Sequence, residues 1–217
     1  MTAAPTSAGN RAAGDTAAVA TLDRERAIVL VIDLQGRLVD LMDRSRMLLD
    51  GTVRLLRLAQ LFDLPVIVTE QYPQGLGSTR EEVEAAILET DPDGGRTWRV
   101  EKDSFGCCGV PAFEEALDAA RPGLPAPDRQ VVVAGIEAHI CVVQTVLDLM
   151  ARGTDVHVCW DCVSSRGEEY RRHALERMGH AGAQITNHES VAFELARDKN
   201  HPRFKGVNRL LREGQIA

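Results

Sequence analysis

The stretch that most constrains this chain runs from Asp128 to Gly153, DRQVVVAGIEAHICVVQTVLDLMARG. Its start, Gln130-Val131-Val132-Val133-Ala134, is short, nearly all apolar and β-branched, the pattern of a strand buried on both faces of a parallel sheet. Gly135 breaks that strand. From about His139 the apolar residues Val142, Val143, Val146, Leu149 and Met150 take helical spacing, and Gly153 suits the left-handed position that closes a helix. The pattern predicts a strand turning sharply into a helix, with Cys141 in the first turn. Unpaired N–H groups at a helix start carry partial positive charge and favour a thiolate, so the position fits a nucleophile. Most free cysteines, however, are small buried hydrophobes, and Cys141 fits that description too.

The same strand pattern recurs along the chain. Arg26 to Asp33 reads as a buried strand ending on a carboxylate, Leu64 to Thr69 as another, and Thr97 to Val100 as a short one leading to Lys102. Asp155 to Trp160 and Ala183 to Thr186 complete the set. Between them, residues 46–62, 79–90, 110–120 and 168–179 read as helices, and Asn187 can cap a last one through Leu195. In an open parallel sheet the ligand crevice lies beyond the carboxyl ends of the strands. Asp33 and Lys102 therefore stand on the edge where chemistry occurs, although an aspartate there can also be a cap and a lysine there is usually a solvated charge. Glu70 to Gly77 reads as a pocket-shaping loop at that edge. Gln35 and Tyr72 are the candidate substrate contacts. Gly75-Leu76-Gly77 is not read as a dinucleotide loop, because Arg80 occupies the place of the third glycine.

With 217 residues the chain fits one domain, read as residues 23–196, preceded by a disordered leader over 1–22 and followed by a tail over 197–217 that packs on the domain or on a neighbouring subunit. The net charge of −7 gives no electrostatic reason to expect nucleic acid or an anionic membrane as partner. No window of ~18 apolar residues exists to span a bilayer, and the leader lacks the apolar core of a secretory signal. The five cysteines form no disulfide framework, and a reducing cytoplasm suits them best. Cys159-Trp160-Asp161-Cys162 has the spacing of a redox or zinc motif, but it is expected at a strand end, and no second pair stands at ligand spacing.

Three segments carry a resemblance: AIVLVIDLQ with Asp33, VEKDSF with Lys102, and VVVAGIEAHICVVQTVLDLMARG with Cys141. Together they resemble the isochorismatase-like cysteine hydrolases, which include nicotinamidases and carbamoylsarcosine amidohydrolases. DCVSSR and NHESVAFEL are similar to the isochorismatase domain-containing branch, and the likeness covers about residues 26–196. The resemblance implies a three-layer, Rossmann-like α/β fold with a six-stranded parallel sheet flanked by helices. It also implies an Asp33, Lys102 and Cys141 triad, in which Cys141 attacks a carbonyl carbon, Asp33 moves the proton and Lys102 balances charge. A cis peptide between Ile136 and Glu137 and an oxyanion hole from the N–H groups of Glu137 and Cys141 follow from the same likeness, as does a homo-oligomer. Two departures narrow the expectation. Nicotinamidases carry Asp-x-His and further histidines for a metal after the second strand, whereas this chain has Thr69-Glu70-Gln71-Tyr72 there, so no metal or other cofactor is expected. Enzymes that hydrolyse the vinyl ether of isochorismate lack the cysteine that this chain keeps. The leading expectation is a metal-free hydrolase of a small amide or related acyl substrate; a non-catalytic binding protein of the same fold and a thiol redox protein using Cys159 and Cys162 are the alternatives.

Overall fold

A computed structural model describes residues 21–212. In chain order the elements are β1 (Ala27–Ile32), α1 (Ser45–Leu61), β2 (Val66–Gln71), the single turn α2 (Pro73–Leu76), α3 (Glu81–Thr90), β3 (Thr97–Lys102) and α4 (Pro111–Ala120). There follow β4 (Gln130–Gly135), α5 (Val143–Ala151), β5 (Asp155–Val163), α6 (Glu168–His180), β6 (Gln184–Thr186), α7 (His188–Ala196) and α8 (Phe204–Arg212). The six strands form one parallel sheet in the order β3-β2-β1-β4-β5-β6. This is the three-layer α/β architecture that the resemblance implies.

The all-apolar strands are explained by burial on both sides. Val29 and Val31 of β1 join a core with α1, α3, α7 and α8, while Ile28, Leu30 and Ile32 join a second core with α4, α5 and α6. Each large side chain so enclosed contributes ~1.5–3 kcal/mol relative to exposure. The strand order reverses between β1 and β4, which opens a crevice beyond their carboxyl ends.

Several boundaries differ from expectation for physical reasons. The polar loop after β2 is shorter, because β2 stays paired with β3 as far as Gln71 opposite Lys102 and Pro73 then starts the α2 turn. β5 continues to Val163, so Cys159 and Cys162 lie inside a strand and not at its end. The register passes from Val133 opposite Val158 to Gly135 opposite Val163, so residues 159–162 form a wide bulge. Its carbonyls are met by the buried Arg171 of α6, whose Nε donates to Val163 O at 2.9 Å and whose Nη2 donates to Trp160 O. In sequence Arg171 sits in the run EEYRRH among other charged residues, which conceals that inward role.

Of the expected tail, residues 197–212 pack on the domain, and residues 213–217 lie outside the described residues. Val207 and Leu211 of α8 are buried against α1, and Arg203 donates to Leu61 O at 2.6 Å. At the other end Leu22, assigned to the leader, is buried and its N–H donates to Glu194 Oε2 at 3.0 Å. The rest of the expected leader, residues 1–20, lies outside the described residues. Asn187 caps α7 as expected, its side chain accepting from Ser190 N at 2.8 Å.

Candidate active site

Asp33, Lys102 and Cys141 come from three elements, and the sheet carries them to one edge. Asp33 follows β1 in the left-handed region (φ 53°), which turns its carboxylate out of the ladder. Lys102 ends β3, two strands away, and its side chain crosses the end of β2 to reach Asp33: Nζ donates to Asp33 Oδ2 at 2.7 Å. The same ammonium donates to Ser104 O at 3.1 Å and Phe105 O at 2.9 Å, so all three protons are held. The residues are 2% (Asp33), 4% (Lys102) and 7% (Cys141) exposed, so all three are largely withdrawn from solvent.

Cys141 is placed by a tight turn after β4. Gly135 has φ 130°, and a Cβ there would stand 2.2 Å from Ile32 O, so only glycine lets the ends of β4 and β1 meet. Ile136 N then donates to Ile32 O at 2.9 Å, and the Ile136–Glu137 peptide is cis, as implied by the resemblance. Cys141 does not sit in the first turn of an ordinary α-helix. Ala138–Val142 is a π turn, with Val142 N donating to Glu137 O at 3.2 Å, and α5 starts after it. Such wide turns recur at functional sites. Thr145 anchors it by donating its hydroxyl to Cys141 O at 2.8 Å while accepting from Cys107 N at 3.1 Å.

The electrostatics correct one expectation. Helix start and lysine do not draw Cys141 toward thiolate in the resting protein. Burial pushes its thiol up to about 12, the Asp33 charge adds to that, and Lys102 pulls down by less. Burial also raises Cys107 to about 11 and Cys108 to about 12, so what distinguishes Cys141 is its partners and not its acidity.

Of the two candidate substrate contacts, Gln35 is fully buried and its amide is spent on backbone. Its Nε2 donates to Gln71 O at 3.1 Å and Gly77 O at 2.7 Å, and its Oε1 accepts from Gln71 N at 2.7 Å. It shapes the pocket by clamping the end of β2. Tyr72 is half exposed at the strand-end edge, with its backbone N–H donating to Lys102 O at 2.9 Å.

Three residues near the site carried no sequence signal. Thr69, at the end of β2 between the strands of Asp33 and Lys102, donates its hydroxyl to Asp33 Oδ1 at 2.6 Å, so both carboxylate oxygens are held. Fully buried Cys107 lies 4.0 Å from that hydroxyl. Arg166, in the loop after β5, donates its backbone N–H at 3.0 Å and its Nε at 3.2 Å to Glu137 Oε2. Only the fold brings these partners, 29 or more residues apart, together.

The isochorismatase domain pattern matches residues 27–190, the segment that contains every strand together with Asp33, Lys102 and Cys141. The chain belongs to the isochorismatase domain family. Isochorismatase domain-containing protein 2 of Rattus norvegicus is 37% identical over 200 residues, covering 91% of this chain and 88% of its own. Among solved structures, the MAR1 ribonuclease of Caenorhabditis elegans superposes with a TM-score of 0.79 at 33% identity, covering 91% of this chain and 95% of its own. YcaC of Escherichia coli, an octameric hydrolase of unknown specificity, gives a TM-score of 0.73 at 26% identity over 91% of this chain and 98% of its own.

Proposed function

We propose that this isochorismatase-domain chain is a metal-independent cysteine hydrolase that cleaves a small amide or related acyl compound through a Cys141 thioester. The observation that carries the reading is the buried Asp33 carboxylate, held on one oxygen by Lys102 at 2.7 Å and on the other by Thr69 at 2.6 Å, with a charge that the Cys141 thiol feels. Cys141 Sγ attacks the substrate carbonyl carbon as its proton passes to Asp33, and the oxyanion is received by the N–H groups of Glu137 and Cys141. Asp33 hands the proton to the leaving amine. Water then attacks the thioester, again giving a proton to Asp33, and the acid leaves as the thiol re-forms.

A neutral resting thiol suits this sequence, since the proton moves only when a carbonyl is in place. Metal independence rests on the end of β2, where Glu70 Oε1 is committed to Thr79, accepting from its N–H and its hydroxyl at 2.6 Å each. A homo-oligomer is part of the proposal, supported by the octameric relative. Five free cysteines support a reducing, cytoplasmic setting. Among the described residues no helix is long and apolar enough to cross a membrane.

Ammonia release across a panel of small amides is expected from the wild type and not from Cys141→Ala. Turnover retained in Cys141→Ala overturns the nucleophile, and a folded wild type that binds amides without cleaving them supports a binding protein instead. A labelled oligoribonucleotide belongs in the panel because of the C. elegans relative, and its cleavage is not expected: the triad is enclosed and the chain carries a charge of −7. Thiol exchange at Cys159 and Cys162 is disfavoured by their complete burial.

Thr69→Val keeps the side-chain shape and removes the donor to Asp33. It is expected to lower kcat by ~10- to 100-fold, the worth of a hydrogen bond to a charged group, with little change in KM. Thr69→Ser should restore most of the rate. A loss of rate that serine does not repair would assign Thr69 to packing.

A further inference from the structure

On the face of the sheet opposite Cys141, the β5 bulge gathers three metal-ligating side chains. In a regular strand, residues three apart point to opposite faces. Here the bulge turns Cys159 and Cys162 into the same core, the one built with α1. Asp161 lies between them in sequence. The two sulfur atoms and a carboxylate oxygen lie within 4.8 Å of one another, and Cys162 Sγ is 3.4 Å from Asp161 Oδ1. All three residues are buried. His188, the first residue of α7, brings Nδ1 to 2.5 Å from Asp161 Oδ2. Gly51 of α1 passes directly over the bulge, where a Cβ would stand 3.1 Å from Cys162 Sγ and 2.8 Å from Asp161 O.

We propose that Cys159, Asp161 and Cys162 form a structural site for a borderline-soft divalent cation, zinc foremost, with His188, which the structure places against Asp161, moving in as the fourth donor. The donor set is that of zinc: two sulfurs in a Cys-x-x-Cys knuckle, an oxygen and an imidazole nitrogen. Bond lengths of ~2.3 Å to sulfur and ~2.0 Å to oxygen make tetrahedral edges of about 3.5 Å, close to the distance between Cys162 Sγ and Asp161 Oδ1. His188 enters by exchanging its hydrogen bond to Asp161 for the ion. The two thiols release their protons as the cation binds. Without the ion, burial together with the neighbouring thiol and carboxylate pushes Cys162 well above its usual range. In sequence the knuckle lacks a partner pair; α7 supplies His188 by folding back across the bulge. Asp161 also receives His188 N at 3.3 Å, so the cation would tie β5 to the start of α7. The site is independent of the proposed hydrolysis, since its thiols pack in a different core from Cys141.

Cobalt(II) titration of the full chain after chelator treatment tests the proposal. Wild type is expected to show a near-ultraviolet sulfur-to-metal charge-transfer band and the visible bands of tetrahedral cobalt, and zinc is expected to raise its Tm. Cys159→Ala and Cys162→Ala should each lose the bands while circular dichroism stays native. No cobalt uptake by wild type overturns the site, as do bands that persist in both alanine variants, which would place the metal on Cys107, Cys108 or Cys141. If an alanine variant fails to fold, His188→Ala decides, because that side chain is partly exposed. A ~10- to 100-fold loss of cobalt affinity is expected there, and unchanged affinity overturns the four-donor assignment.

Discussion

Asp33→Asn is expected to silence hydrolysis and at the same time make Cys141 easier to alkylate. Loss of a general base costs ~10²- to 10⁴-fold in rate, and an amide of the same shape cannot take the thiol proton. The thiol responds in the other direction. In the wild type, burial and the Asp33 charge hold it at about 12, against a downward pull from Lys102. Asparagine removes the charge and leaves the Lys102 ammonium, 2.7 Å from where the carboxylate stood, unopposed. The titration of Cys141 therefore moves down, and alkylation near neutral pH quickens. Iodoacetamide labelling against pH, read at the Cys141 peptide, measures one half, and ammonia release measures the other. An alkylation profile that overlays wild type would show that Asp33 and the thiol are not coupled. Hydrolysis that survives would remove Asp33 as the base.

The opposed responses matter because a cysteine can be reactive by being acidic or by being served. A thiol drawn to thiolate by a helix terminus is reactive toward any electrophile. A buried neutral thiol beside a carboxylate is reactive only toward a substrate that fits, since proton transfer and attack occur together. Cys141 is 7% exposed, and in the proposed mechanism it belongs to the second kind.

Sequence pattern carried most of the fold, because a two-sided parallel sheet needs uninterrupted apolar runs, and AIVLVI and QVVVA have no other economical use. It also placed Asp33, Lys102 and Cys141 on one edge, since strand polarity alone puts their carboxyl ends together. What it missed depends on side chains reaching across the fold. Thr69 reads as one more β-branched strand residue, and its bond to Asp33 exists only because β2 lies beside β1 with Ile32 opposite Thr69. Gln35 reads as a polar group at the pocket, yet Gln71 at the end of β2 takes both ends of its amide, with Gly77 O as a second acceptor. The β5 bulge was hidden for another reason: a strand that leaves its register has no period to detect, and Arg171 looks like a surface charge until Val163 O and Trp160 O require a donor. The apolar stripe of α8 is short and lies between basic residues, which is the composition of a tail.

Lys102→Met should disturb the molecule more than any surface change, because it removes one half of a buried ion pair. The Lys102 side chain is wholly enclosed and that of Asp33 nearly so. Without the ammonium the carboxylate keeps the Thr69 hydroxyl but loses its counter-charge, and such a broken pair costs ~3–5 kcal/mol. Urea unfolding should therefore show a lower midpoint with an unchanged m-value. The thiol is expected to move opposite to its shift in Asp33→Asn: the Lys102 contribution holds Cys141 down, so its loss carries the alkylation profile to higher pH. The double variant Asp33→Asn/Lys102→Met separates charge from packing. With both charges gone, no bare carboxylate or ammonium is left inside, and stability should recover well above the sum of the single losses. Additive losses would mean that each side chain is held by its own surroundings and that the 2.7 Å contact is incidental. Recovery of stability without recovery of hydrolysis is the expected result, since the pair that the fold tolerates losing together is the pair that the proposed reaction uses one charge at a time.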